Sequence, residues 1–249
     1  MKHLVMIHGF MGGSGQWDMQ KATLADRYDV IALDLPGFGL NANLTPINTI
    51  GGFAEWVIAQ LSARNIGHFS LLGHSMGGMI AQEIASRIPD QIERLILYST
   101  GAIGVLPGRF ETIAQSKART LADGPKVTAR RIAESWFLKG TAATAFESCA
   151  SIAEQASLDA ILAGLSAMEG WAGEAALANI RAKTLLVWGD KDRTYPWEQI
   201  ETLWRTIPQT SLCVLPNVAH AIHLENPEGF NRVLTDYLES CGAQIRPNE

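Results

Sequence analysis

Residues Gly73-His74-Ser75-Met76-Gly77 constrain the fold of this chain more than any other stretch. They read Gly-x-Ser-x-Gly and lie between a short apolar run, Phe69-Ser70-Leu71-Leu72, and a helical pattern from Met79 to Ile88. A strand that turns at once into a helix forces the serine between them into a strained backbone conformation, with room only for small neighbours. Gly73 and Gly77 supply that room, and Gly78 is expected to let the helix pack closely on the sheet. The Ser75 hydroxyl is then held out of the sheet at the helix N-terminus. Alone the motif is a weak signal; between strand and helix it is a strong one.

The chain on either side repeats the same alternation. Leu4 to Ile7 suits a central strand buried on both faces, Val30 to Leu33, Leu95 to Tyr98 and Leu185 to Trp188 suit further strands, and Leu212 to Leu215 suits a last one. Helical patterns cover 16–25, with Trp17 and Leu24 inward, and 53–64, 197–206 and 227–240. From 102 to 182 the pattern changes to alanine and helix formers without a convincing strand. We read this as a helical insertion of about four helices, a cap over the sheet, with the core formed by 1–101 and 183–249. Strands alternating with helices predict an α/β fold, a mostly parallel sheet of about six strands with helices on both faces. In such sheets the site lies at the carboxyl ends of the strands.

The length of 249 residues suits one domain, or one domain with an insertion. A net charge of −5 without basic runs argues against a nucleic-acid partner. Cys149, Cys213 and Cys241 are odd in number and lack metal-ligand spacing, which fits reduced thiols in a cytoplasmic protein. The apolar run after Met1-Lys2-His3 is too short for a signal peptide, and no run approaches membrane-span length. No His, Cys or Asp spacing suggests a metal. The polar tail from Gly242 is expected to fray.

Serine is a poor nucleophile at neutral pH and needs a base, which in turn needs an orienting carboxylate. The chain supplies both in the order Ser, Asp, His. Asp192 follows the strand ending at Val187-Trp188, and His220 follows the last strand. Each is expected to project from the top of the sheet towards Ser75.

With His8-Gly9-Phe10, Asp34-Leu35-Pro36-Gly37-Phe38-Gly39, Gly73-His74-Ser75-Met76-Gly77-Gly78, Gly189-x-x-Asp192 and His220 followed by Glu225-Asn226-Pro227-Glu228, the chain resembles the α/β-hydrolase superfamily over residues 3 to 240. It is most similar to the esterase, lactonase and C–C hydrolase branch that carries a helical cap. The resemblance implies Ser75 as nucleophile, His220 as general base and then acid, and Asp192 as orienter. It implies an oxyanion hole from the backbone N–H groups of Phe10 and Met76, and no cofactor. The family usually has a β-hairpin before its first His-Gly strand; here the sheet is expected to lack that antiparallel edge.

Other residues compete for these roles. Asp190 stands against Asp192 but more readily caps its turn, and His223 stands against His220. His8 and His74 are expected to be satisfied by backbone, Asp34 to hold its own turn, and His3 and His68 to be surface residues. Trp136 and Phe137 are candidates for a substrate pocket, and Phe110, Phe146 and Trp171 could join them or form the cap's own core. Arg109, Arg119, Arg130 and Arg131 could hold a substrate carboxylate or be solvated helix faces.

The expected function is a serine hydrolase of a small to medium carboxylic ester, lactone or thioester, acting as a monomer or homodimer. C–C bond cleavage, enol-lactone hydrolysis and pyruvate elimination use the same triad and stay open. A weakly catalytic ligand receptor and a cofactor-free haloperoxidase are the readings from other classes. Serine at position 75 argues against haloalkane dehalogenases and epoxide hydrolases, whose pattern has aspartate there.

Overall fold

The computed structural model describes residues 1–107 and 111–240. Six strands, Lys2–Ile7 (β1), Tyr28–Leu33 (β2), Phe69–His74 (β3), Ile92–Tyr98 (β4), Lys183–Gly189 (β5) and Thr210–Leu215 (β6), form one sheet in the order β2-β1-β3-β4-β5-β6. Every neighbouring pair is parallel, as expected. The order reverses between β1 and β3: β2 lies to one side and β4 to β6 to the other. Loops leaving β1 and β3 therefore part in opposite directions and open a crevice at their carboxyl ends, where such sheets place their sites.

Alternation along each strand sorts the core into two layers. Val5, Ile7, Phe69, Leu71, Leu95, Leu97 and Leu186 pack under α2 (Ile50–Ala63), α3 (Met76–Arg87) and α8 (Trp197–Thr206). Leu4, Met6, Leu72, Ile96, Tyr98, Leu185 and Val187 face α1 (Asp18–Leu24) and α10 (Pro227–Glu239) through Leu24, Phe230, Leu234 and Leu238. Both faces are covered, which is why the central strands read as continuous apolar runs.

Element starts differ from the sequence expectation for identifiable reasons. β1, β4 and β5 begin before their apolar runs, because the ladders extend through Lys2, Arg94 and Lys183 without needing apolar side chains. α2 starts three residues earlier than expected because Thr49 caps it, accepting a hydrogen bond from Gly52 N at 3.0 Å. The helix expected over 16–25 is a 3₁₀ turn, Ser14–Trp17, followed by α1.

Between β4 and β5 lie α4 (Ile113–Asp123), α5 (Pro125–Ser135), α6 (Phe146–Ala153) and α7 (Leu158–Glu169). Gly124 at φ 79° and Pro125 break α4 from α5. The neck of this segment is closed by Gly173 N donating to Ala102 O (2.8 Å) and Gly104 N to Trp171 O (3.0 Å). Its inner residues, among them Ala129, Ala133, Phe137, Ile161 and Leu165, belong to the same hydrophobic cluster as Phe10, Phe38 and Phe53 of the sheet layer. A short helix that the sequence did not suggest, α9 (Ile222–Glu225), follows His220.

Candidate active site

Ser75 sits between β3 and α3 at φ 55° and ψ −120°. A non-glycine residue at positive φ costs roughly 1–3 kcal/mol and persists only where its surroundings enforce it. Here Ser75 N donates to Tyr98 O (3.0 Å), and Ser75 O accepts from Thr100 Oγ1 (2.7 Å) and Gly78 N (2.8 Å). A Cβ on Gly73 would overlap the Gly77 carbonyl, and one on Gly77 would overlap the carbonyls of Ile7 and His8. A Cβ on Gly78 would overlap the Thr100 side chain just beyond β4, so the bare glycine lets α3 come close at the end of that strand.

Asp192 and His220 are brought together in the buried interior, with side chains 0% and 2% exposed. Asp192 Oδ2 is 3.0 Å from His220 Nδ1, while Oδ1 accepts from Thr194 N (2.8 Å) and Tyr195 N (3.3 Å). An ionised carboxylate only accepts, so the Nδ1 proton is fixed and the lone pair lies on Nε2. His220 and Ser75 line one cavity, together with Phe10 and Trp136. Among the described residues no hydrogen bond joins Ser75 Oγ to His220.

The His220 backbone is held from both sides. His220 N and Ala221 N donate to Trp136 O (3.1 and 3.0 Å). His220 O accepts from Tyr98 Oη (2.9 Å) and His74 Nε2 (3.1 Å). The Tyr98 hydroxyl, having donated its proton, accepts from His223 Nδ1 (3.0 Å) and His223 N (3.2 Å). This fixes the proton on Nε2 of His74 and on Nδ1 of His223. Burial, and then the neighbouring His220, hold both imidazoles below their ordinary pKa, that of His223 at about 3. Both therefore stay neutral behind the site.

The N–H groups of Phe10 and Met76 donate no hydrogen bond among the described residues. Phe10 lines the cavity; Met76 opens α3 directly after Ser75, with its side chain buried in the core. The cavity is small, about 60 Å³. Trp136 lines it, but Phe137 does not. The Phe137 ring is fully buried in the cluster shared by helices and sheet, so it is unavailable as a wall of this cavity. Phe146 and Trp171 are also core residues, with Trp171 Nε1 donating to Glu83 Oε1 (3.0 Å). Arg109, Phe110 and Cys241 lie outside the described residues.

The competing residues have other work. His8 Nε2 accepts from Leu35 N (3.0 Å) and Nδ1 donates to Gly9 O (2.7 Å), the backbone satisfaction expected of it. Asp34 holds more than its own turn, since Oδ1 accepts from Leu40 N (3.1 Å) and also from Ser14 N (2.9 Å) across the sheet top. Asp190 does not cap its turn; it accepts from Asn217 N (2.6 Å) and pairs with Lys191, tying the loops after β5 and β6. His3 pairs with Asp29 at the surface. Tyr98 and Glu225 were missed as supports. Glu225 accepts from Ala219 N and from Leu138 N, both at 2.6 Å, and its place in the stretch after His220 was the available signal. Among the described residues no three His, Cys, Asp or Glu side chains are grouped to hold a metal, and no helix is long and apolar enough to cross a membrane.

Comparison with known proteins agrees with this architecture. The chain is 27% identical to "Putative carbamate hydrolase RutD" of Pseudomonas savastanoi, over 95% of this chain and 93% of the relative. Among solved structures, an esterase from Thermogutta terrifontis superposes with a TM-score of 0.86 at 26% identity, covering 96% of this chain and 89% of the other. The enol-lactonase from Burkholderia xenovorans LB400 superposes with a TM-score of 0.88 at 20% identity, covering 96% and 92%, a likeness of fold. The family model described as the alpha/beta hydrolase fold matches residues 2–227, and the chain belongs to that family.

Proposed function

We propose that this protein is a serine hydrolase of small carboxylic esters, with Ser75 as nucleophile, His220 as general base and Asp192 as its orienter. The observation that carries the reading is the buried 3.0 Å contact between Asp192 and His220 beside a strained serine on the wall of the same cavity. In this mechanism Ser75 Oγ attacks the carbonyl carbon while its proton passes to His220 Nε2. The developing oxyanion accepts from Phe10 N and Met76 N, each worth roughly 3 kcal/mol of transition-state stabilisation. The proton on Nε2 then goes to the departing alkoxide, leaving an acyl-serine. Water, deprotonated by the same nitrogen, releases the acid and restores the enzyme. Asp192 stays ionised throughout and stabilises the imidazolium.

The cavity at Ser75 favours a short uncharged acyl group. Its own volume is about 60 Å³, so a longer chain has to run on past Ile132, Ser135, Arg193 and Thr194, where polar and charged side chains offer an alkyl group little. Hydrolysis of p-nitrophenyl esters from acetate to decanoate, run beside Ser75→Ala, tests both claims. Acetate and butyrate should turn over at least about tenfold faster than decanoate, and Ser75→Ala should lose at least about 10³-fold while remaining folded. A Ser75→Ala protein with wild-type turnover would remove the mechanism. Carbamate hydrolysis is a second reading, favoured by the name of the curated relative. It uses the same attack on a carbonyl, so a matched ester and carbamate in the same assay distinguish the two.

A further inference from the structure

Beside the Ser75 cavity lies a larger open basin of about 570 Å³. The two share Ile132, Ser135, Arg193 and Thr194 as common lining, so the basin begins where the small cavity ends. Its other lining includes Arg119 and Arg131 from α4 and α5, with Glu134 as the carboxylate on the same wall. The structure separates the cap arginines that the sequence left together. Arg130 turns away to Glu147 (2.7 Å) and Glu154 (3.1 Å), whereas Arg119 and Arg131 share Glu111 (3.8 and 3.3 Å) and line the basin. Arg119 also reaches Asp123 (3.3 Å).

Arg131 is the unusual member. Only its Nη1 is used, towards Glu111, and its side chain is 19% exposed. Nε and Nη2 are buried without a hydrogen-bond partner. Unpaired buried donors are rare because each forfeits its hydration, and more so on a charged group. Nε and Nη2 form one edge of the guanidinium, and that edge matches the two oxygens of a carboxylate. Arg193 stands on the boundary between the two spaces, with Nη2 donating to Phe137 O (3.0 Å) and the rest of its exposed guanidinium free to attract an anion.

We infer that the basin is a subsite for an anionic arm of the substrate, and that the enzyme's preferred ester carries a carboxylate a few carbons from the reacting carbonyl. The carboxylate takes the free edge of Arg131, after a local turn of that side chain, under the field of Arg193 and Arg119. An uncharged alkyl arm gains nothing from those groups. This rests on the acyl-transfer reading for its substrate, though not for the binding site itself.

The test compares monomethyl adipate with methyl hexanoate, which differ in the terminal carboxylate. Wild-type protein should favour monomethyl adipate by about tenfold in kcat/KM, mainly through KM. Arg131→Gln should bring the ratio close to one by raising KM for the charged ester. Arg130→Gln, whose partners lie on the outer face, should keep the wild-type ratio. Should Arg131→Gln unfold, Arg193→Gln carries the same comparison. Equal rates on both esters in wild type, or a preference that survives both substitutions, would overturn the subsite. If no ester is turned over at all, adipate binding to Ser75→Ala decides independently: a rise in Tm with adipate, absent with hexanamide and lost in Arg131→Gln, supports the subsite, and no rise refutes it.

Discussion

Asp192 serves three donors at once, two on one oxygen and the third on the other. Thr194 N and Tyr195 N fix one oxygen, which leaves the other aimed at His220 Nδ1. Asparagine keeps the shape but presents an amide, which would force the imidazole towards the wrong tautomer. Asp192→Asn should therefore lower kcat by roughly 10³–10⁴-fold with little change in KM, read from initial rates on a short ester. A loss below tenfold would show that Asp192 does not orient the base. Ser75 is legible at this scale because its constraint is steric: Gly73 and Gly77 announce a backbone that no larger residue could accompany. Tyr98 is not legible, because a tyrosine ending an apolar strand looks like any core aromatic until its hydroxyl finds His220 O.

β4 and the loop after β6 act together through that hydroxyl. Tyr98 Oη gives one hydrogen bond to His220 O and takes two from His223. Tyr98→Phe would strand the Nδ1–H and backbone N–H of His223 in a buried space, so it should cost about 2 kcal/mol in urea unfolding. It should also lower kcat, since His220 O would keep only His74. A variant as stable as wild type would mean that water or movement satisfies these groups. Strand and helix positions follow from apolar periodicity, and most were legible. The starts were less so, because backbone ladders and the Thr49 cap extend elements beyond the apolar residues that reveal them. The free edge of Arg131 is set by which helix face meets which wall, a tertiary outcome that Arg119, Arg130 and Arg131 as letters do not distinguish.

At the level of the whole molecule, buried neutral histidines link stability to pH. His223 titrates at about 3 when folded, against about 6.5 in an unfolded chain, and His8 and His74 shift in the same direction through burial. Between those values the unfolded chain binds a proton that the folded one refuses. Stability should fall as pH drops from 6.5 towards 3, by up to about 1.4 kcal/mol per pH unit for His223, and His8 and His74 add to the fall in the same direction. Above 6.5 neither state binds the proton and the contribution is flat. His223→Asn keeps a donor for Tyr98 without a titrating ring, so its urea midpoint should fall less steeply over that range; identical slopes would argue against this origin. The helices between β4 and β5 share one hydrophobic cluster with the sheet. Calorimetry should accordingly give one cooperative transition, with two separated transitions as the contrary result.

The ties around residues 136–138 have a consequence for how the protein works over a catalytic cycle. Trp136 O holds the backbone of His220 and Ala221, Phe137 O holds Arg193, and Leu138 N is pinned by Glu225, which also pins Ala219. Residues 136–138 and the backbone of His220 are thus one mechanical piece. In the mechanism proposed above, a motion that lifts this corner would carry His220 away from Ser75. On that reading an open molecule is a disarmed one, and closing and arming are the same movement.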